Sequence, residues 1–296
     1  MTENALPPTT LIVCTRDRPR LLHDTLASIL AADDVPKEIV VVDQSTEPQL
    51  DLAGLSSDGC DVRVVASSIH GLGQARNDGV AAASHDVLVF VDDDMLADPK
   101  WLRELVGALV GAGPKTVVTG AVEATRGESW RGFTPATQAH PRGAVFEGRL
   151  GRDVLAGGHM AIERSAIEDV GGFDPRFGSG AAYPAADDND LGFRLLELGY
   201  RIAYVADAIL YHRAWRSGWR YPLVRWRYGR GKGGFYAKHA HAGDGHMRGR
   251  ALHDLGARAR RFPRLVLRQP MLAVGDLAYA AGVLAGWARW WLRERA

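Results

Sequence analysis

Cysteine is nearly missing from this chain: Cys14 and Cys60 are the only two in 296 residues, too few for a disulfide framework or a sulfur-ligated metal site. A glycine-rich phosphate loop is absent, and the Gly71-Leu72-Gly73 pair lacks the third glycine of a dinucleotide fingerprint. The turn after the first apolar run is Arg16-Asp17-Arg18-Pro19, which again excludes the usual nucleotide-binding turn of a dehydrogenase. The opening Met1-Thr2-Glu3-Asn4 has neither the basic nor the apolar part of a secretory signal, so the cytosol is the expected compartment. Nor is there a clean membrane-spanning stretch, because the most apolar segment, residues 271 to 287, is broken by Asp276 and three glycines.

Hydrophobic residues make up 46% and charged residues 24% of the chain, which suits one large globular α/β domain or such a domain with an appendage. The net charge of +1 conceals a division. Residues 1 to 212 carry eighteen Lys/Arg against thirty-one Asp/Glu, and residues 213 to 296 carry eighteen against four. We therefore expect a boundary near 212 and a tail that is a separate electrostatic object.

The first part is organised around Val87-Leu88-Val89-Phe90-Val91-Asp92-Asp93-Asp94. Five apolar residues suit a strand buried on both faces, and three carboxylates follow where it should end. One aspartate there would serve as a helix cap, since Asp98-Pro99 reads as a helix start. Three adjacent carboxylates repel one another, and an alternating pair lets two of them share an oxygen-preferring ion such as Mg²⁺ or Mn²⁺. Further strands are predicted at residues 10 to 15, 38 to 43 and 62 to 65, with helical spacing at 21 to 30 and a helix opening near Gly71. Strands alternating with helices predict a mostly parallel, doubly wound sheet that brings Thr15, Asp43 and the triple aspartate to one edge.

Arg76 stands in the first turn of the helix after Gly71, either as a fixed guanidinium able to fork onto phosphate or as a solvated surface residue. Residues 126 to 152 show little periodicity and read as a long loop, of the kind that acts as a lid or specificity element. A second acidic cluster, Asp187-Asp188-Asn189-Asp190, immediately precedes an amphipathic run. The helix dipole accounts for one or two carboxylates in a first turn; a catalytic role needs only one to face the cleft as a base.

Taken together, Thr15, Val42-Asp43, Gly73-x-Ala75-Arg76-Asn77, the triple aspartate, Gly172-Phe173-Asp174, Asp187-Asp188-x-Asp190-Leu191-x-x-Arg194-Leu195 with Gly199-Tyr200, and Tyr211-His212 resemble family 2 inverting glycosyltransferases of the GT-A fold. The motifs occur in that family's order over residues 9 to 212. The resemblance implies a Rossmann-like GT-A catalytic domain over 1 to 212, with a nucleotide-sugar half over 1 to 94 and an acceptor half over 95 to 212. It implies contacts from Thr15, Arg18 and Asp43 to the donor nucleotide, with Arg76 as a nucleotide-binding arginine. Asp92 is expected on the ribose and donor-sugar side, Asp94 on the metal, Asp93 between them, and His212 as a further metal ligand or merely a strand-end histidine. Asp188 matches the catalytic base, although the family commonly writes Glu-Asp where this chain has Asp187-Asp188, so either is a candidate. The implied activity is metal-dependent transfer of a sugar from a nucleotide-diphosphate sugar to a carbohydrate or lipid-linked acceptor, with inversion, in glycan or glycolipid synthesis. The rivals are a sugar-phosphate nucleotidyltransferase and a non-catalytic glycan-binding protein on the same scaffold.

The tail, 213 to 296, interleaves aromatics with cations: Arg213, Trp215, Arg216, Trp219, Arg220, Tyr221, Arg225, Trp226, Arg227, Tyr228, Arg230 and Lys232. Such a segment can bind single-stranded nucleic acid, lie on an anionic membrane or wrap the donor diphosphate. No nucleic-acid partner is expected, and Arg213 and Arg216 are the nearest candidates for the diphosphate. We read Gly229-x-Gly231-x-Gly233-Gly234 as a flexible junction, and His239, His241, His246 and His253 as solvated members of the basic face. Residues 271 to 287, with Trp287, Trp290 and Trp291 beside Arg289, Arg293 and Arg295, suit a peripheral helix at the inner face of the cell membrane. The same helix would equally pack on the catalytic domain or on a second subunit, because Gly282-x-x-x-Gly286 permits close contact either way.

Overall fold

The computed structural model describes residues 5–46, 50, 55, 58–125, 132–133, 137–213, 216–240 and 244–294; the sequence readings at residues 1 to 4, 126 to 131, 134 to 136, Trp215, His241 and Arg295 lie outside them. Its centre is a sheet of strands β1 (Thr9–Thr15), β2 (Glu38–Asp43), β3 (Asp61–Ala66), β4 (Val87–Asp92), β5 (Met95–Ala97), β6 (Thr116–Ala124), β7 (Ala144–Phe146), β8 (His159–Glu163) and β9 (Arg201–His212). The order across it is β3-β2-β1-β4-β8-β6-β9-β5, with β7 paired to β9. β8, β5 and β7 run against their neighbours, and the other strands are parallel to one another.

Successive side chains of a strand point to opposite faces, which explains the layers. Leu11 and Val13 of β1, with Val89 and Val91 of β4, point to the face covered by α1 (Pro19–Leu30) and α3 (Trp101–Ala112), where Leu22, Leu26, Trp101 and Leu105 meet them. Ile12, Val40, Leu88 and Phe90 point to the opposite face and meet α2 (Leu72–Ala82), α4 (Arg164–Asp169) and α5 (Asp187–Glu197) through Ala75, Ile167, Leu191 and Leu195. Each such side chain contributes roughly 1.5–3 kcal/mol on burial, so these two layers fix the strand register and thereby the edge where β1, β2, β4 and β9 end. β9 runs unbroken from Arg201 to His212, with an irregularity in its pairing to β6 between Gly120 and Ala121. Part of the stretch read as a loop is also structured, since β7 pairs with β9 and Gln138 bridges Val122.

Three helices complete the chain: α6 (Tyr221–His239), α7 (His246–Arg268) and α8 (Pro270–Arg293). They share a core with Phe177 and Tyr183, in which Phe235, Met247, Tyr279 and Trp290 are buried. The reading of the α6 glycines as a flexible junction is corrected here. They lie inside a continuous helix, at points where a side chain has no room: a Cβ on Gly229 or Gly233 would meet the carbonyl oxygen of Tyr279 or Val283 on α8, and one on Gly231 would lie 2.6 Å from the carbonyl oxygen of Ala185. Reciprocally, Gly282 and Gly286 abut the α6 backbone at Trp226 and Arg230. The close-contact face of α8 is thus taken by its own chain.

Asp276, the charge that interrupts α8, is 2% exposed and answers cations of α7: Arg261 Nε donates to its Oδ2 at 2.6 Å and Arg258 Nη1 to its Oδ1 at 3.2 Å. α8 is nevertheless long and apolar enough to cross a membrane by length and composition. The reading of the tail histidines as solvated holds for His253, which is exposed, and is corrected for two others. His239 is 8% exposed with Nε2 2.7 Å from Asp190 Oδ1, and half-buried His246 stacks on Phe193. Asp190 therefore has a structural duty, tying α5 to α6 through His239 and Lys238. The seam between α6 and α8 generates one expectation: Gly233→Leu lowers stability by about 1–3 kcal/mol, read as a fall in the urea midpoint, and an unchanged midpoint would contradict it.

Candidate active site

Thr15, Asp43, Asp92 and His212 stand at the carboxyl ends of β1, β2, β4 and β9, the edge at which open α/β sheets bind ligands. Asp93 is fastened from two sides. Thr15 Oγ1 donates to its Oδ2 at 2.7 Å and Arg18 Nη1 to its Oδ1 at 3.0 Å. Burial pushes the Asp93 carboxyl up to about 6 against the pull of the Arg18 charge. The same Arg18 nitrogen donates to Asp94 Oδ2 at 3.0 Å, and His212 Nε2 lies 3.2 Å from Asp94 Oδ1. For Asp94, burial is again the largest influence, but the His212 hydrogen bond and charge with Arg18 outweigh it and hold the carboxyl below its ordinary value.

Arg76 joins the two acidic clusters. It is 3% exposed; its Nη2 donates to Asp92 Oδ1 at 3.0 Å and its Nη1 donates to Asp187 Oδ2. The guanidinium expected to reach a nucleotide is thus engaged by a carboxylate of each cluster. Burial raises the Asp92 carboxyl even so. Asp188 is held differently, by backbone: the Gly157 N–H donates to its Oδ2 at 3.2 Å and the Asn189 N–H to its Oδ1 at 2.7 Å. Burial and the adjacent Asp187 charge push its carboxyl up to about 7.

Two cavities open along this edge. One, of about 330 Å³, is lined by Thr15, Arg18, Asp93, Asp94, His212 and Arg216 among others. The other, of about 600 Å³, is lined by Arg76, Asp187 and Asp188 and by residues of α6 and α7. Leu72, Asp92, Ser179 and Tyr228 line both, so the cavities meet at the first aspartate of the triple. Asp43 lies outside both linings; its Oδ1 accepts the Ser45 N–H at 2.9 Å, and its Oδ2 is buried with no hydrogen-bond partner among the described residues. That orphaned oxygen suits a polar ligand at the end of β2. Arg213 pairs with Asp24 on α1 and lines neither cavity, unlike Arg216.

Among the described residues no three His, Cys, Asp or Glu side chains are grouped so as to hold an ion by themselves. An ion shared with a diphosphate needs no such cage, because Mg²⁺ and similar ions are commonly held by one or two carboxylates with substrate phosphates and water. Asp92, Asp94 and His212 face one cavity with the oxygen and imidazole chemistry such an ion accepts, so the residues fit.

The family model for Glycosyltransferase like family 2 matches residues 7–229. The chain belongs to this glycosyltransferase family. The match runs past residue 212 into α6, the helix that closes both cavities. The glycosyltransferase is 27% identical over 179 residues to the pre-mycofactocin glycosyltransferase of Mycobacterium tuberculosis, covering 59% of this chain and 37% of that protein. It thus spans little more than a third of that relative. It is 25% identical over 216 residues to the glucosyl-dolichyl phosphate glucuronosyltransferase of Haloferax volcanii, covering 69% of this chain and 68% of that one. Among solved structures, a mannosyltransferase from Pyrobaculum calidifontis in complex with GDP-Man and Mn²⁺ superposes with a TM-score of 0.63 at 19% identity, over 99% of this chain and 89% of that one. S. aureus TarS 1-349 in complex with UDP-GlcNAc gives 0.60 at 17%, over 95% and 84%. The fold is that of the GT-A glycosyltransferases, with a helical C-terminal region.

Several site residues of the glycosyltransferase escaped the sequence reading. Gly157 and Gly158 bring backbone against the acidic centre: a Cβ on Gly158 would collide with the Asp92 carboxylate, and one on Gly157 would lie 2.6 Å from Arg76 Nη1. The paired glycines ahead of β8 were the available signal. Gln44 shapes the rim of the smaller cavity by donating through Nε2 to Ser67 Oγ at 3.2 Å and to the Ile69 carbonyl at 2.5 Å, and its position directly after Asp43 was the clue. Tyr228 and Lys232, named from the sequence only as members of the basic, aromatic tail, lie one turn apart on α6, a spacing hidden while the intervening glycines were read as a junction.

Proposed function

We propose that this glycosyltransferase moves a sugar from a nucleotide-diphosphate sugar to an acceptor hydroxyl with inversion, the donor lying in the smaller cavity and the acceptor in the larger. The observation that carries this reading is the meeting of the two cavities at Asp92, with carboxylates of separate character on either side. In-line displacement needs the nucleophile and the leaving group on opposite faces of the anomeric carbon, and adjoining chambers provide for that. The ligands named for the two solved structures, GDP-Man and UDP-GlcNAc, support the donor class.

In this mechanism Thr15, Arg18 and Asp43 contact the donor nucleotide, with Thr15 and Arg18 also fixing Asp93. Asp92 faces the ribose and donor sugar. Asp94, with His212 and Asp92, would hold Mn²⁺ or Mg²⁺, which when bound supplies Lewis-acid stabilisation to the departing diphosphate. Arg216, in the same chamber, adds positive charge for the diphosphate. We assign Arg76 a positioning role, since it holds Asp92 and Asp187 at fixed separation. Asp187 is committed to that ion pair, leaving Asp188 as the base that takes the acceptor's proton. A carboxyl pushed up to about 7 accepts protons near neutrality.

A transfer assay read by product NMR is expected to show the inverted anomer, and a retained anomer would overturn the mechanism. The base works only unprotonated, so kcat/KM should be level at alkaline pH and fall as pH drops through about 7. Asp188→Asn should lose turnover by about 10²–10⁴-fold while binding donor as before. An independent thermal-shift measurement addresses the ion: wild type should gain stability from nucleoside diphosphate more with Mn²⁺ than with EDTA, and Asp94→Ala should erase the difference. Persistence of the Mn²⁺ effect in that variant would remove Asp94 from the site.

We propose further that the enzyme acts at an anionic membrane surface. Met271, Val274, Leu277, Leu284 and Leu292 form an outward apolar face on α8, 46 to 79% exposed, and Arg264, Arg268, Arg289 and Arg293 stand exposed toward its ends. Apolar burial framed by arginines is the pattern of an interfacial helix. Leu277→Glu with Leu284→Glu should lower co-sedimentation with phosphatidylglycerol vesicles about tenfold or more; unaltered binding would refute the membrane role.

A further inference from the structure

The wall of the larger cavity formed by α6, α7 and the segment before β8 carries a charge pattern that donor binding does not use. On α6, Arg225, Tyr228 and Lys232 recur at helical spacing and face inward; on α7, Arg250, Asp254 and Arg258 do the same. With Arg152 and Asp153 from the segment before β8, five cationic side chains of that wall meet two carboxylates in the cavity lining, and a third, Asp276, backs Arg258 from outside it. Asp153 is shared between two cations: Lys232 Nζ donates to its oxygens at 2.8 and 3.0 Å, and Arg250 Nη2 donates to it as well. Asp254 accepts the Tyr279 hydroxyl at 2.7 Å and Arg258 Nη2 at 3.1 Å.

Arg225 and Arg152 have no carboxylate partner among the described residues. Arg225 stacks its guanidinium 4.6 Å from the Tyr279 ring centroid with its buried Nε unbonded, and Arg152 lies 5.1 Å over Phe146. Lys232 and Arg250 are each 7% exposed, and one shared carboxylate leaves a net positive charge on the pair. Holding surplus positive charge out of water is unfavourable unless an anion completes it. The diphosphate of the donor belongs to the neighbouring chamber with Asp94 and His212, so it does not serve.

We propose that this wall receives an anionic group of the acceptor, a phosphate ester, so that the three C-terminal helices select a phosphorylated acceptor and present its hydroxyl to Asp188. The proposal rests on the donor and acceptor assignment above. Phosphate suits the site because guanidinium and ammonium groups recognise it by charge-assisted hydrogen bonds, and Arg225 and Lys232 stand two helical turns, about 10 Å, apart on one face.

The test is isothermal titration of the full-length chain in metal-free buffer with inorganic phosphate, glucose 1-phosphate, octyl phosphate and neutral octyl glucoside. Nucleoside diphosphate with Mn²⁺ is titrated separately. The three phosphates are expected to bind and octyl glucoside to fail. Arg225→Gln and Lys232→Met should each weaken phosphate binding about tenfold or more, with nucleotide affinity kept within about twofold. Arg152→Ala, on an exposed segment, gives a third reading free of folding effects and should weaken phosphate severalfold. Tighter binding of octyl phosphate than of glucose 1-phosphate supports a lipid-borne ester, and the reverse order supports a soluble one. Absence of phosphate binding by wild type, equal binding of octyl glucoside, or unchanged affinity in all three variants overturns the proposal. Loss of nucleotide binding by wild type with phosphate binding intact supports the anion site and instead overturns the donor assignment.

Discussion

The arrangement of carboxylates at the edge where β1, β4 and β9 end depends on one buried cation. Arg76 sits between Asp92 at the end of β4 and Asp187 at the start of α5, and without it two carboxylates would face each other in a poorly solvated cleft. Mutual repulsion and desolvation would drive protons onto them, and the distinction between the clusters would be lost. With Arg76 in place the site holds a graded set of acids: Asp94 depressed beside His212, Asp93 raised to about 6, and Asp188 raised to about 7. Groups whose environments push them apart in this way suit different tasks in one reaction. The arginine's own helix is set close to the sheet because Gly79, one turn further along α2, lies against Ile12 and Val42 where any side chain would clash.

Much of this was legible before the coordinates. The apolar runs at 10 to 14, 38 to 42 and 87 to 91 became β1, β2 and β4 because strands buried on both faces need no alternation, only length and β-branched composition. Acidic residues directly after such runs stand out against their surroundings, and the order of motifs named the family. What stayed hidden was pairing at a distance. The Arg76 to Asp187 contact joins positions 111 residues apart, and no local spacing announces it. Asp190 looked interchangeable with Asp187 and Asp188, yet it is fully buried against His239, Lys238 and Arg194; its role followed from α6 lying across α5, which the tail's composition did not disclose.

The tail misled for a related reason. Glycine in a helix interior costs stability relative to alanine, so four glycines within six residues, 229 to 234, read locally as a break. Tertiary packing reversed that preference: the backbones of α6 and α8 approach so closely that hydrogen is the sole substituent that fits. Likewise Asp276 counted against a long apolar helix until Arg258 and Arg261 were seen opposite it. In both cases a residue unfavourable for its own element is the means by which that element finds its neighbour.

Helix α6 therefore has two faces with unrelated obligations. Gly229 and Gly233 lock it against α8, whereas Arg225, Tyr228 and Lys232 look into the cleft. Because the residues that anchor the helix are not those that line the cavity, the inward positions can be substituted without disturbing the mounting. Under the acceptor assignment proposed above, a few substitutions along that single stripe would change which molecule is taken and leave the sheet as it is.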